Sequence, residues 1–371
     1  MKITVVGGGI IGCATAYELA KAGCAVTLFE RAMPGAEASG AAAGLLTPLG
    51  DATGSAVDRL AVASWRLYPE IVDELRQRTG IDVEYVTRGT IHPLFDVDDV
   101  RRAEARLAGR ESGEFGIEAW DTADVRAREP ALATRVRGAM FIGADHWVNN
   151  QRLVVAYAHA AIAAGVVLRS GTSVSRVIVE DGRAHGVVAD GDRWDADAVL
   201  LAAGAWTGAL AASFGERLRV EPARGQMVAL AHVPPVLNHA VSTDDIYLVP
   251  RPSGELLIGA TVERVGFHRS VTAEGIASLL STAIALVPSL GSLPIARTWY
   301  GFRPWAPDGM PILGPWPHVA GLWVATAHFR SGILLAPITA RVMTDWMTMG
   351  EPRLAMEAFA PERFLTKERS L

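Results

Sequence analysis

One short stretch at the start of the chain restricts its fold more than any other. Residues 3–6 are an apolar run, Gly7-Gly8-Gly9 a turn, residues 10–22 a helical pattern, and residues 25–29 a second apolar run that ends at Glu30. Gly7, Gly9 and Gly12 stand in the spacing G-x-G-x-x-G between a strand and a helix, which marks the βαβ opening of a dinucleotide site. Gly7 permits the tight turn, Gly9 lets the backbone approach a pyrophosphate, and Gly12 lets helix and sheet pack closely. The helix start offers unpaired N–H groups to the phosphates. Glu30 would accept hydrogen bonds from both ribose hydroxyls, and its charge disfavours a 2′-phosphate. The pattern alone does not choose between NAD and FAD.

At 371 residues the chain is longer than one domain needs, so a nucleotide domain with a smaller companion is expected. A formal charge of -5 and the lack of any Lys/Arg-rich run argue against a nucleic-acid partner. Cys13 and Cys24 both fall in the opening unit without the companions of a zinc site, so neither a disulfide framework nor a bound metal is expected. Of the 35 lysines and arginines, only Lys2, Lys21 and Lys367 are lysines. That excludes a Schiff-base, Walker-type or flavin-facing lysine from mid-chain. No apolar run approaches the ~18 residues of a spanning helix, and a cytoplasmic protein is expected.

Further along, residues 59–79 and 100–107 have helical spacing. A helix is predicted over residues 153–164, followed by strands near 166–168, 174–179 and 186–188, with Asp181-Gly182 as a hairpin turn. Residues 198–203 read as a central parallel strand that ends at Gly204-Ala205-Trp206. Strand-like pieces at 227–230, 247–250 and 256–258 surround one helix over 273–286. The tail returns to a buried strand at 322–325 and a helix opening at Gly332.

Three places favour FAD over NAD. Ala38, Ser39, Ala43, Gly44 and Leu45 belong to a run of small residues that lets a bulky ring lie against backbone. The strand running into Gly204 resembles one that passes beneath a flavin. Ala327-His328-Phe329-Arg330-Ser331-Gly332-Ile333-Leu334 ends a strand and starts a helix whose N-terminus would stabilise negative charge on a reduced ring.

Taken in order, these segments resemble the D-amino-acid oxidase superfamily of flavoproteins, and within it the bacterial glycine oxidases of thiamine biosynthesis. The likeness runs nearly end to end. It is carried by residues 6–12, Ala41-Ala42-Ala43-Gly44-Leu45-Leu46, Tyr247-Leu248-Val249-Pro250-Arg251, Gly301-Phe302-Arg303-Pro304 with Asp308-Gly309 and Pro311, and residues 328–337. The resemblance implies an α/β Rossmann-like FAD domain with an inserted α+β substrate domain whose antiparallel sheet roofs the flavin. Residues 1–84, 144–220 and 301–371 are expected to form the first, and 85–143 and 221–300 the second. It also implies that Arg303 holds a substrate carboxylate with help from Tyr247, and that Arg330 lies beside both substrate and flavin. Cofactor contact is implied for Ile10, Ile11, Glu30, Arg31, Ala38, Ser39, Ala43, Gly44, Leu45, Val174, Ile333 and Leu334.

Two positions depart from the pattern. Ala38 stands where relatives often carry a hydroxyl, and Asp245, two residues before Tyr247, is read as a strand residue that either meets an ammonium group or is solvated. Gly301 takes about the place of the flavin-bonding cysteine of the sarcosine oxidase branch, so a non-covalent flavin is expected.

The activity implied is FAD-dependent oxidation of glycine, sarcosine or a short D-amino acid to a 2-oxo acid and ammonia or amine. O2 is the acceptor and hydrogen peroxide the product. A dehydrogenase that passes electrons to a quinone, a non-catalytic flavin-binding subunit of a larger dehydrogenase, an NAD-linked enzyme and a homo-oligomer are all left open by the sequence.

Overall fold

In the computed structural model, residues 1–49, 55–96, 98, 99, 101, 112–231 and 235–364 are described. The predicted helix over 100–107 lies almost wholly outside them.

The opening unit forms as its pattern dictates: strand Lys2–Val6, helix Ile10–Lys21 and strand Ala25–Glu30. These two strands are neighbours in a six-stranded sheet ordered Ile312–Pro315, Leu322–Thr326, Ala198–Leu201, Lys2–Val6, Ala25–Glu30, Val167–Ser170. Every pairing is parallel except the outermost, Ile312–Pro315 with Leu322–Thr326. Both faces are covered, so the strands are apolar throughout rather than alternating. Ile3, Val5, Leu28 and Leu200 pack against the helices Ile10–Lys21, Asn150–Ala163 and Gly332–Met349. Val6, Phe29, Val199 and Leu201 face a meander of Val174–Glu180, Arg183–Ala189 and Asp192–Asp195. The predicted Asp181-Gly182 turn joins the first two of these, with φ of 49° and 71°, the left-handed pair that a two-residue hairpin requires.

The second layer is an eight-stranded sheet ordered Ile295–Trp305, Glu221–Ala231, Glu255–Gly259, Tyr247–Pro250, Ala240–Ser242, Thr90–Leu94, Gly138–Ile142, Ile117–Trp120. Only Ala240–Ser242 with Thr90–Leu94 is parallel. Its two faces have different partners. Ile91, Val228, Leu230, Val241, Leu248 and Ile258 point to the helix Ala273–Leu286. Met227, Ala229, Ala240, Val249 and Leu257 point the other way, towards Ala43 and Trp147 of the first layer. The strand Ile295–Trp305 runs unbroken through residues 300 and 301, where two of the expected segments meet. Leu45-Leu46 and His146-Trp147 pair as a separate two-stranded ladder.

Asp245 is not on a strand. It sits in the turn closed by Thr243 N–H to Ile246 O, where Thr243 Oγ1 also accepts from the Asp245 and Ile246 N–H groups. The Thr and Asp pair satisfies a tight connection, which removes the facing relation with Tyr247 that strand periodicity would give.

Candidate active site

Between the layers lies a cavity of about 1220 Å³. Its floor is the carboxyl edge of the parallel strands: Gly7 after the first, Glu30 and Arg31 at the end of the second, Gly204 after Ala198–Leu201, and Thr326 at the end of Leu322–Thr326. A crevice there is where open α/β sheets bind ligands.

The cradle is built by backbone. Gly7 has φ +111°, and a Cβ on it would come within 2.5 Å of Ala202 O, so only glycine lets the chain leave the strand and turn under its neighbour. The Glu30 carboxylate accepts from Gly8 N–H at 2.7 Å and Ala32 N–H at 2.9 Å, which fixes it at the strand end. Ser39 Oγ accepts the Ile10 N–H at 2.9 Å and ties the helix start to the small-residue segment. That segment is a short helix, Ala38–Ala41, and Asn150 holds it by donating to Ser39 O and Gly40 O. Arg31 stacks on Trp206, 3.8 Å from the ring centroid, while pairing with Glu37.

Of the residues expected to touch the cofactor, Gly7, Gly9, Ile10, Ile11, Glu30, Arg31, Ala38, Ser39, Ala43, Gly44, Leu45, Val174, Gly204 and all of His328 to Leu334 line the cavity. Gly12 does not. A Cβ there would lie 1.9 Å from Gly7 O, so it packs the helix onto the turn.

At the far wall the helix Gly332–Met349 begins; Gly332, Ile333 and Leu334 of its first turn line the cavity, and no side chain caps its start. The turn that presents it holds Ala327 and Phe329 at φ 59° and 47°, a left-handed geometry non-glycine residues seldom keep. His328 is buried and its Nε2 lies 3.1 Å from Thr339 Oγ1. Burial pushes its imidazole down to about 3, so it is neutral and locks the turn.

The roof contributes Arg303 and Tyr247. Arg303 lies on Ile295–Trp305 opposite Ala223, and its Nη1 donates to Thr261 O at 3.0 Å. Gly225 makes room for it, since a Cβ there would sit 2.2 Å from Arg303 Nη1. The Tyr247 hydroxyl lies 3.2 Å from Met227 Sδ. Burial raises the Tyr247 phenol, while Arg303 and Arg330 beside it act to lower it, so the three predicted residues share one end of the cavity. Neither guanidinium has an ion-pair partner among the described residues. Two cations without a counter-ion beside a phenol form a receptor for an anion such as a carboxylate.

Sequence reasoning missed Arg251, Gly225 and Thr261. Arg251 is buried, donates to Val148 O, Ala43 O and Asn150 Oδ1, and thereby clips the Ala43-Gly44 backbone to the roof. Burial pushes its guanidinium down to about 10, still charged at neutral pH. The Pro250-Arg251 motif was visible, but its partners are more than a hundred residues away.

No thiol reaches the cavity. Cys13 is buried in the first helix with its thiol pushed up to about 12 by burial, and Cys24 lies at the turn beyond it. A Cβ at Gly301 would press on Ala41 Cβ at 2.5 Å, so that position is closed to a larger side chain unless Ala41 moves.

A backbone cradle at the carboxyl edge of a parallel sheet, facing an anion receptor on an antiparallel roof, defines a dinucleotide-dependent oxidoreductase that holds its substrate between cofactor and roof. The cradle fits FAD, with open backbone at Gly7 and Gly9, a fixed acid at Glu30 and a second helix start at Gly332. Residues 2–346 match the family of FAD dependent oxidoreductases, and the chain belongs to it. It is 35% identical to the glycine oxidase of Pseudomonas putida over 363 residues, 97% of this chain and 98% of that protein. The crystal structure of glycine oxidase from Geobacillus kaustophilus has a TM-score of 0.92 at 34% identity and 99% coverage of both chains. Iminodiacetate oxidase from Chelativorans sp. BNC1 has a TM-score of 0.89 at 28% identity, covering 97% of this chain and 98% of that one.

Proposed function

We propose that the chain oxidises a small amino acid, glycine or a short D-amino acid, at its Cα–N bond with O2 as acceptor. The observation that carries the reading is the pair of guanidiniums, Arg303 and Arg330, left without carboxylate partners beside Tyr247 and across from the cradle. The names of the relatives, glycine oxidase and iminodiacetate oxidase, support the same substrate class.

In this reading Arg303 clamps the substrate carboxylate through its planar fork and Tyr247 donates a hydrogen bond to the same group. Arg330 adds positive charge at the mouth. Glu30 receives the ribose hydroxyls, the first turn of Ile10–Lys21 receives the pyrophosphate, and the start of Gly332–Met349 faces the ring. When bound, FAD supplies two-electron oxidation of the amine to an imine, which water splits to a 2-oxo acid and ammonia while O2 becomes hydrogen peroxide. No charged acid–base group of the chain is assigned to the step; its residues orient the substrate and shield it from water. The two free cysteines accord with a reducing compartment, and we place the protein in the cytoplasm as part of the proposal.

Anaerobic bleaching of the flavin by glycine, sarcosine, D-alanine and D-proline tests the reading. Bleaching by at least one, followed by recovery of the yellow colour and peroxide release on admitting air, is the expected result. Bleaching that air does not reverse but a quinone does would replace oxidase by dehydrogenase.

A further inference from the structure

The cavity continues past the carboxylate receptor to a second polar end. Tyr247 stands opposite Ser242 in the roof, and Val241 stands opposite Ile91 on the next strand, so the register brings His92 alongside Ser242. His92 in turn faces Met140. All four of Tyr247, Ser242, His92 and Met140 line the cavity. His92 is therefore two strand spacings from Tyr247, about 10 Å.

Behind His92 is Asp145, 1% exposed, with its Oδ2 3.8 Å from His92 Nε2. Three buried polar atoms meet there without a hydrogen-bond partner: Thr90 Oγ1, His92 Nε2 and Asp145 Oδ1. Buried charges are ordinarily paired, and the Asp145 carboxylate lines the cavity with no Lys or Arg paired to it among the described residues, which leaves a place for a cationic donor from outside the chain. Leu49, Met140 and Ile142 line the approach and are apolar. An aliphatic passage ending at a buried acid matches a cation carried on a polymethylene stem. Asp244 and Asp245 also border the cavity but are exposed, where water screens them.

We propose that His92 and Asp145 form a distal subsite that binds the amine or guanidinium at the end of a long unbranched amino-acid side chain, extending the substrate range to basic D-amino acids. The inference rests on the amino-acid oxidase reading above. Arg303 and Tyr247 hold the carboxylate at one end, and Asp145 accepts from the distal cation at the other. Burial raises the Asp145 carboxyl from its ordinary range, and His92 and Thr90 beside it act in the opposite direction.

The test compares kcat/KM for D-lysine and D-norleucine, which share the stem and differ in the terminal ammonium, with glycine as the reference. The native holoenzyme is expected to prefer D-lysine by about 30-fold or more, as desolvated charge pairs do. Asp145→Asn should bring the ratio near one while lowering glycine turnover far less. D-Norleucine equal to D-lysine in the native enzyme overturns the proposal, and that comparison needs no variant to fold. An Asp145→Asn enzyme that loses glycine and D-lysine turnover by the same factor overturns it too. A flavin that no amino acid reduces overturns the oxidase reading and this one with it, whereas glycine turnover without a lysine preference overturns only this one.

Discussion

Arg303 is held by geometry, not by a counter-ion. A carbonyl at Thr261 accepts one of its N–H groups and a glycine at 225 leaves space for the planar fork, so the rest of the guanidinium faces the cavity. Such an arginine fixes the direction of a bound carboxylate as well as its affinity. Arg303→Ala should keep FAD and lose roughly 2–5 kcal/mol in kcat/KM, about thirty-fold to several thousand-fold. Arg303→Lys should recover little, because a point charge does not reproduce a two-point clamp. Steady-state rates with glycine and with an amine lacking the carboxylate check this. Near-native kcat/KM for glycine in the alanine variant would move the carboxylate to Arg330. The arginine itself was legible as part of Gly301-Phe302-Arg303-Pro304. Thr261 and Gly225 were not, because nothing in a sequence marks which residue of a neighbouring strand or of the loop after another, some forty to eighty positions away, will face one side chain.

The helix Gly332–Met349 illustrates how an element is held in place by another far from it in sequence. Pro337 has no N–H, so the Ile333 carbonyl one turn earlier lacks its helical donor. The Tyr68 hydroxyl donates to that carbonyl, and the Ser64 hydroxyl donates to Leu334 O at 2.6 Å, both from the helix Ala56–Thr79. Ile333 and Leu334 line the cavity, so this buttress also sets where the helix start sits. Tyr68→Phe would leave the Ile333 carbonyl buried and unpaired, at a cost of about 1–3 kcal/mol. Thermal denaturation of the variant should show a melting point lower by a few degrees, and an unchanged value would mean the carbonyl has another donor. The helix Ala56–Thr79 was readable from its apolar spacing and Gly332–Met349 from the apolar run that Gly332 opens. The strands Thr90–Leu94 and Gly138–Ile142 were not, since Thr90, Ile91 and Pro93 are buried alike, as are Gly138, Ala139, Met140 and Ile142, and a strand covered on both faces has no period of two. The second polar end of the cavity lies on the first of those strands, at His92, and in the turn after the second, at Asp145, which is why neither residue drew attention in the sequence.

At the scale of the whole molecule the two sheets meet around the cofactor space, and the chain's own contacts across it include the Arg251 clip, the Trp299 indole donating to Ala41 O at 3.0 Å, the Arg269–Glu37 ion pair and Phe329 N–H donating to Pro304 O. FAD held in that space would touch residues of both layers and is expected to bind without a covalent bond. Cys13 is buried within the first helix and Cys24 lies beyond it, so neither sulfur borders the cavity, and Gly301 carries no side chain. Acid precipitation of the purified protein should release all the yellow colour into the supernatant, and colour kept in the pellet would contradict this. Because a ligand that binds only the folded chain stabilises it by RT ln(1 + [L]/Kd), free FAD at a hundred times its Kd should add about 2.7 kcal/mol. The melting point of protein stripped of flavin should rise with each addition and level only logarithmically. A covalent or structurally locked flavin would give no such dependence, and Glu30→Ala should shift the whole curve to higher FAD by weakening one charge-assisted contact, worth about 1.5–3 kcal/mol.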